Sequence, residues 1–209
     1  MTKVKICGIT NLEDALLSVQ LGADALGFNF YPESPRYVSP EQIRVILERL
    51  PVNILTIGVF VDADIDTIKT IVHTTGLAAV QLHGSENAEF AKKLRENIDV
   101  PVIKAFRVSN AFKAEDVSQF DVDAILLDAY SPNLYGGTGE TFDWEIANQV
   151  REIFPKIYLA GGLSSDNVRQ AIDEVAPFAV DVCSSVESSP GKKDPELLKR
   201  FIAEAKRND

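Results

Sequence analysis

Two hydrophobic periods alternate along the chain. Short runs rich in Val, Ile and Phe recur at Lys3–Ile9, Asp24–Phe30, Asn53–Val61, Ala78–His83, Val100–Arg107, Val122–Asp128, Lys156–Ala160 and Ala179–Cys183. Their length and β-branched content predict buried strands. Between them, apolar residues fall at three- and four-residue spacing in Leu12–Leu21, Pro40–Leu50, Ile65–Thr75, Asn87–Asn97, Asn110–Val117, Asp143–Phe154, Ser165–Val175 and Pro195–Lys206, which predicts helices. Start signals support several of them: Asn11 stands before Leu12 with Glu13 and Asp14 in the first turn, Ser39 stands before Pro40, and Asp194 before Pro195.

Eight strand–helix units in 209 residues average about 26 residues each, the short end of what a (β/α)8 barrel needs. The expected fold is therefore α/β, a TIM barrel forming one domain over residues 1–209. A doubly wound open sheet alternates strand and helix in the same way. Against it, no GxGxxG follows the first strand, and polar residues gather after many strands instead of at one crevice. The longer connections, Tyr31–Ser39 and Ala129–Phe142, follow strands and so belong to the C-terminal face, where barrel enzymes place their chemistry.

Composition narrows the partners. With 45% hydrophobic and 25% charged residues the chain is of ordinary globular type. Its 31 acidic and 21 basic residues leave a net charge of −10, which disfavours nucleic acid and anionic membrane as partners. An anionic substrate then requires a locally positive pocket. The two cysteines, Cys7 and Cys183, and the two histidines, His73 and His83, fall in no metal-ligand spacing, so no metal is expected. No apolar stretch approaches the ~18 residues of a spanning helix, and Met1 leads into Lys3-Val4-Lys5-Ile6-Cys7 without a signal-peptide run. The expectation is a soluble cytoplasmic protein with no evident obligate protein partner.

Strand alternation selects the residues that enter the barrel. Apolar Val4 and Ile6 face the helices, which sends Lys3, Lys5 and Cys7 inward, with Cys7 nearest the C-terminal mouth. The same reasoning sends Gln81 and His83, and Leu126 and Asp128, inward. Lys5, Gln81, Lys104 and Asp181 are all read as interior, where an unpaired charge costs several kcal/mol, so partners are expected. Cys7 and Asp128 converge on one pocket. A thiolate beside Lys5 is a competent base, and a carboxyl in a partly desolvated pocket has its pKa raised and serves as an acid. Gly161-Gly162 after the seventh strand and Ser184-Ser185 after the eighth stand where barrel enzymes commonly bind phosphate through backbone N–H groups. Arg36, held in Pro32-Glu33-Ser34-Pro35-Arg36-Tyr37, suits bidentate capture of a carboxylate. His83 is a pocket-lining candidate, and Gly136-Gly137-Thr138-Gly139 reads as a lid or an anion-binding nest.

An ordered set of motifs spans nearly the whole chain: Lys5-Ile6-Cys7-Gly8-Ile9-Thr10, Gly22-Ala23-Asp24 through Gly27-Phe28, Ser34-Pro35-Arg36, Gly58-Val59-Phe60-Val61, Gln81-Leu82-His83-Gly84, Leu127-Asp128, Gly136-Gly137-Thr138-Gly139, Ala160-Gly161-Gly162-Leu163 and Pro190-Gly191-Lys192-Lys193-Asp194. In this it resembles the phosphoribosylanthranilate isomerases of tryptophan biosynthesis. The resemblance implies an Amadori rearrangement of a phosphosugar substrate without metal, redox or organic cofactor. It implies that Cys7 is the general base, Asp128 the general acid and Arg36 the anchor of the anthranilate carboxylate. Gly161, Gly162, Ser184 and Ser185 would hold the phosphate, and Gln81, His83 and Asp181 would contact substrate. The related histidine-pathway isomerases carry aspartate where Cys7 stands, which separates the two. A metal-dependent epimerase would need more inward ligands than His83, and a phosphate-binding module that kept only the fold would not need both Cys7 and Asp128.

One segment departs from the family pattern. Where Asp-Val-Ser-Ser-Gly-Val-Glu is usual, this chain reads Asp181-Val182-Cys183-Ser184-Ser185-Val186-Glu187. Ser185 is expected to be strained if the turn demands a positive φ. Because the first and eighth strands are neighbours in a closed barrel, Cys183 is also expected near Cys7, close enough for oxidation to cross-link them.

Overall fold

Parallel strands taking up one another's backbone hydrogen bonds in chain order leave no edge exposed once the last returns to the first. The computed structural model describes residues 1–129 and 143–207, and in it the strands close in that way. They are β1 (Lys3–Ile6), β2 (Ala25–Asn29), β3 (Leu55–Phe60), β4 (Ala79–Leu82), β5 (Val102–Val108), β6 (Ala124–Ala129), β7 (Ile157–Leu159) and β8 (Ala179–Val182). The closing pair sets Lys5 opposite Asp181 and Ile6 opposite Val182. The expected (β/α)8 barrel is the fold, and the open-sheet alternative is excluded by the β1–β8 pairing.

Helices α1 (Leu12–Leu21), α2 (Pro40–Leu47), α3 (Ile65–Thr75), α4 (Ala88–Arg95), α5 (Trp144–Ile153), α6 (Val168–Val175) and α7 (Pro195–Lys206) pack outside the strands. Those with strong start signals begin where the sequence places them. Asn11 accepts the N–H of Asp14, Ser39 and Gln42 form a reciprocal capping box, and Asp194 accepts from Glu196 and Leu197, each satisfying orphan first-turn donors. The helix expected over Asn110–Val117 does not form. A 3₁₀ turn at Ala114–Gln119 replaces it. Asp116 takes the N–H of Lys113, the Ser118 hydroxyl donates to the Glu115 carbonyl, and such local bonds compete with an α-helical ladder. Phe106 packs against Phe112 and Phe120, pinning both ends of the segment. Among the described residues no helix is long and apolar enough to cross a membrane.

Two cores follow from strand alternation. Val4, Ile6, Leu26, Phe28, Val80, Leu82, Ile125 and Leu127 face the helices. Inside the barrel lie Ala25, Ile57, Ala79, Ile103, Ala105, Ala124, Leu126, Tyr158, Ala160 and Ala179. Most of these are small, and the long side chains of Lys5 and Gln81, both fully buried, occupy the space they leave. Lys104 corrects the sequence reading: Ile103 and Ala105 point inward, so Lys104 points out. There its Nζ lies 2.7 Å from Glu86 and donates to the Gly84 carbonyl at 2.8 Å. After β8 a 3₁₀ turn (Ser184–Val186) leads into a small antiparallel hairpin of β9 (Glu187–Ser189) and β10 (Lys192–Lys193).

The Lys5–Asp181 pair, 2.9 Å apart and 0% and 8% exposed, holds the barrel centre. Burial raises the Asp181 pKa to about 7, the negative charges of Cys7 and Asp128 push the same way, and Lys5 opposes them. Burial works against the Lys5 charge too, but Asp181 and Cys7 outweigh it and the ammonium stays above its ordinary range. Lys5→Met is expected to cost less than the ~3–5 kcal/mol of a stranded buried charge, because Asp181 takes up a proton instead. A carboxyl pKa raised on folding gives stability that is present below its unfolded value of ~3.9 and lost as pH rises. Urea midpoints of Lys5→Met should therefore fall further below wild type at pH 8 than at pH 5, and an equal deficit at both would refute this account.

Candidate active site

The strand ends converge on a cavity of about 520 Å³ whose walls include Cys7, Arg36, His83, Asp128, Asp181 and Cys183, with the turns at Gly161–Leu163 and Ser184–Ser185. Cys7 ends the β1 segment because Gly8 turns the chain out of the sheet at φ +72°, although the Cys7 N–H still reaches the Val182 carbonyl at 2.8 Å. Asp128 comes from β6, across the barrel. Base and acid candidates thus face one space from different strands, as strand alternation predicts.

His83 reaches the cavity, whereas Gln81 does not. Gln81 is wholly buried below the walls, and its Nε2 lies 2.7 Å from His83 Nδ1. That contact fixes the imidazole plane, and Nε2 lies 3.3 Å from Asp128 Oδ2. The expectation that Gln81 touches substrate is therefore corrected: the side chain one step deeper in the strand orients the histidine that flanks Asp128.

Arg36 sits on the wall, but its fork is already engaged. Nε lies 3.0 and 3.1 Å from the two Glu187 oxygens and Nη2 lies 2.7 Å from Oε2, which leaves Nη1 unused among the described contacts. The loop that carries it is stiffened from below, because Asn29 donates to Ser34 Oγ at 3.0 Å and Ser34 Oγ accepts the Arg36 N–H at 3.2 Å. Glu187 also accepts from Lys193 at 2.9 Å, and Lys193 donates to the Cys7 carbonyl at 2.6 Å. Burial opposes the Glu187 charge, yet Arg36 and Lys193 hold its carboxyl below the usual range. Two cations around one carboxylate leave a positive excess in an acidic protein.

Sequence reasoning missed Glu187 and Lys193 as members of this site. Both lie beyond the last barrel strand, in a hairpin whose Lys-Lys pair reads as surface, yet Lys193 is 1% exposed. The signal available was the Pro190-Gly191 turn, which folds the hairpin back over the strand ends.

The two anion loops meet on one wall. Gly161 and Gly162 take consecutive positive φ values of +78° and +65°, and a Cβ at Gly161 would lie 2.2 Å from the Ala129 nitrogen, so no side chain fits there. No described hydrogen bond uses the N–H groups of Gly161, Gly162 or Leu163. Ser185 is not strained: the non-glycine residues with positive φ among those described are Asp62 and Ala176. Ser185 instead lies in the 3₁₀ turn, and its hydroxyl donates to the Leu163 carbonyl, stapling one loop to the other. The Gly136–Gly139 run lies outside the described residues. Among the described residues no group of three or more His, Cys, Asp or Glu is placed to hold a metal ion.

The cysteines are free thiols at the ends of neighbouring strands, and the Cys183 thiol donates to Glu187 Oε1 at 3.8 Å. The neighbouring Cys183 thiol is the main influence that lowers the Cys7 pKa well below the ordinary thiol value; burial opposes it, and the charges of Lys5, Lys193 and His83 add to it. Cys183 moves the other way, raised by the same contact and by burial.

Comparison with known proteins agrees with this geometry. A family model described as N-(5'phosphoribosyl)anthranilate (PRA) isomerase matches residues 4–204. The N-(5'-phosphoribosyl)anthranilate isomerase of Citrifermentans bemidjiense is 52% identical over 207 residues, covering 99% of this chain and 98% of its own. The crystal structure of phosphoribosyl anthranilate isomerase from Thermotoga maritima superposes with a TM-score of 0.89 at 48% identity, covering 99% of each chain. A phosphoribosyl anthranilate isomerase solved in complex with reduced 1-(o-carboxyphenylamino)-1-deoxyribulose 5-phosphate superposes at 0.85 and 46% identity, again over 99% of each chain.

Thiols at the ends of neighbouring strands make a definite prediction under oxidation. Attack of the Cys7 thiolate on hydrogen peroxide gives a sulfenic acid and hydroxide, and Cys183 then displaces water from it to close a disulfide. Activity should fall as the free-thiol count drops from two to none, and dithiothreitol should restore both. Two free thiols in the inactivated protein would exclude the cross-link.

Proposed function

The chain belongs to the N-(5'-phosphoribosyl)anthranilate isomerase family, and on that premise we propose that Cys7 is the general base and Asp128 the general acid of its reaction. The enzyme converts N-(5-phosphoribosyl)anthranilate to 1-(2-carboxyphenylamino)-1-deoxyribulose 5-phosphate by an Amadori rearrangement in L-tryptophan biosynthesis. The assignment of roles rests on one observation: Cys7 and Asp128 come from different strands to face a single cavity.

The phosphate lies against Gly161, Gly162, Ser184 and Ser185, where consecutive positive φ values turn backbone N–H groups toward an anion. The anthranilate carboxylate meets Arg36 at the edge that Glu187 leaves open. The ribose then lies between Cys7 and Asp128. Asp128 protonates the ring oxygen, the C1–O bond breaks, and the nitrogen lone pair closes a Schiff base. The Cys7 thiolate takes the proton from C2, the electron pair left behind forms the enolamine, and tautomerisation gives the ketone. Lys5 and Lys193 stabilise the thiolate electrostatically, while His83, set by Gln81, flanks Asp128. Asp181 keeps Lys5 compensated from within the cavity wall.

The proposal includes a single domain acting in the cytoplasm on a small phosphosugar, without nucleic acid, membrane or obligate protein partner. The net charge of −10 supports the exclusion of polyanions.

Loss of substrate fluorescence, followed with freshly generated phosphoribosylanthranilate, tests the roles. Cys7→Ala and Asp128→Asn should each lower kcat/KM by about 10²–10⁴-fold. Wild type should give a bell-shaped pH profile whose acid limb, reporting Cys7, lies below the ~8.5 of an ordinary thiol. Near-normal turnover by Cys7→Ala would displace Cys7 as base, and a flat profile would contradict a pair of titrating groups.

A further inference from the structure

Behind the wall that carries Arg36 stands a carboxylate that the reaction above does not use. Glu187 opens the β9–β10 hairpin, and its side chain is 3% exposed. Arg36 lines the cavity, whereas Glu187 does not. The two oxygens of Glu187 have different partners. Oε2 bonds Arg36 alone among the described contacts, taking Nη2 at 2.7 Å and Nε at 3.1 Å. Oε1 also takes Arg36 Nε, at 3.0 Å, but is tied to the hairpin by Lys193 Nζ at 2.9 Å and by the Gly191 N–H at 3.3 Å. The Cys183 thiol adds a longer bond at 3.8 Å. Gly191 is fixed in turn by Thr10, whose hydroxyl donates to its carbonyl.

The stem of Arg36 is confined as well. A Cβ on Gly8 would lie 2.7 Å from Arg36 Cδ, so the glycine after Cys7 leaves the space that the stem fills. A guanidinium offers a carboxylate two edges, one through Nε and Nη2 and one through Nη1 and Nη2. Glu187 holds the first, which leaves the second for a ligand. An arginine already ordered in this way loses little rotamer freedom when it binds. The alternative use of such a carboxylate is to block Arg36 until substrate displaces it. The side-chain burial of Glu187 and its hairpin bonds oppose that, because withdrawing it would leave the buried Lys193 charge without its carboxylate.

We propose that Glu187 is a positioning residue for substrate selection: it occupies the Nε–Nη2 edge of Arg36 and thereby presents the Nη1–Nη2 edge to the aryl carboxylate of the substrate. The inference rests on Arg36 as the carboxylate anchor of the reaction proposed above. It makes preference for a ring carboxylate a property of the pair, with Glu187 acting only through Arg36.

Calorimetric titration with two non-reacting ligands tests it. One is reduced 1-(2-carboxyphenylamino)-1-deoxyribulose 5-phosphate, and the other is its phenylamino counterpart without the carboxylate. Glu187→Gln should bind the first about tenfold more weakly and the second as wild type does. Arg36→Met should show a selective loss at least as large, and adding Glu187→Gln to it should weaken the carboxylated ligand no further. Arg36→Lys leaves Glu187 in place and keeps the charge, but a point charge has no second edge, so it should lose the preference as Arg36→Met does. That arm decides the matter even where Glu187→Gln folds poorly. Equal weakening of both ligands by Glu187→Gln, or a further loss in the double variant, would show a role outside Arg36. Tighter binding of the carboxylated ligand would show a blocking role, and an unmoved affinity would show none. Wild-type binding by Arg36→Lys would show that charge alone suffices. Each of these would overturn the proposal. If Arg36→Met bound both ligands as wild type does, Arg36 would not be the anchor, and the proposal would fall with that reading on separate ground.

Discussion

Closure of the barrel at β1–β8 is the constraint on which the site depends. A parallel pair in register puts equivalent positions side by side, so one pairing decision sets Lys5 against Asp181 and Ile6 against Val182, with Cys7 and Cys183 next above them. The lower rung is an ion pair inside the barrel, and the upper rung is a thiol pair in the cavity. A slip of one residue would turn both rungs outward and put Val4, Ile6, Val180 and Val182 into the barrel. The apolar face packed under the helices makes that slip costly, so burial of ordinary valines and isoleucines fixes the geometry of the chemistry.

The electrostatics follow from the same arrangement. A chain with a net charge of −10 must gather positive charge locally to hold an anionic phosphosugar. It does so with cations that are mostly buried and paired. Lys5 is compensated by Asp181, while Arg36 and Lys193 share Glu187. Because Glu187 bonds both cations, the Arg36 fork on the cavity wall and the Lys193 support beneath the Cys7 carbonyl are parts of one network. Paired burial keeps these charges in place before any ligand arrives, which is the preorganisation that electrostatic catalysis needs.

Where the sequence was legible, one face of an element was clearly apolar. Val4 and Ile6 against Lys5 and Cys7, or Ile125 and Leu127 against Asp128, leave a single choice of phase, and α1, α2 and α7 carry strong caps in Asn11, Ser39 and Asp194. Lys104 was misread because Val102, Ile103, Ala105 and Phe106 make both faces of β5 apolar, so alternation cannot set the phase. Gln81 was placed inside correctly but at the wrong depth, since alternation gives the face of a strand and not the height of a side chain below the cavity. Glu187 and Lys193 escaped because a hairpin beyond the last strand has no periodicity that says where it folds back. The Ser185 question turned on a φ angle, which the departure from glycine could raise but not answer.

The seam also says something about the order in which a working molecule comes into being. Much of the Cys7 neighbourhood comes from residues 181–193, with Lys193 donating to the Cys7 carbonyl across 186 positions of sequence. A chain emerging from the ribosome N-terminus first therefore carries Cys7 long before it carries the groups of the eighth strand and hairpin that surround it. Until the eighth strand and the hairpin have been made, Cys7 is an ordinary thiol at an unclosed sheet edge. Those surroundings arrive only near the end of translation, together with the closure that removes the edge, so a polypeptide interrupted earlier holds the thiol without them.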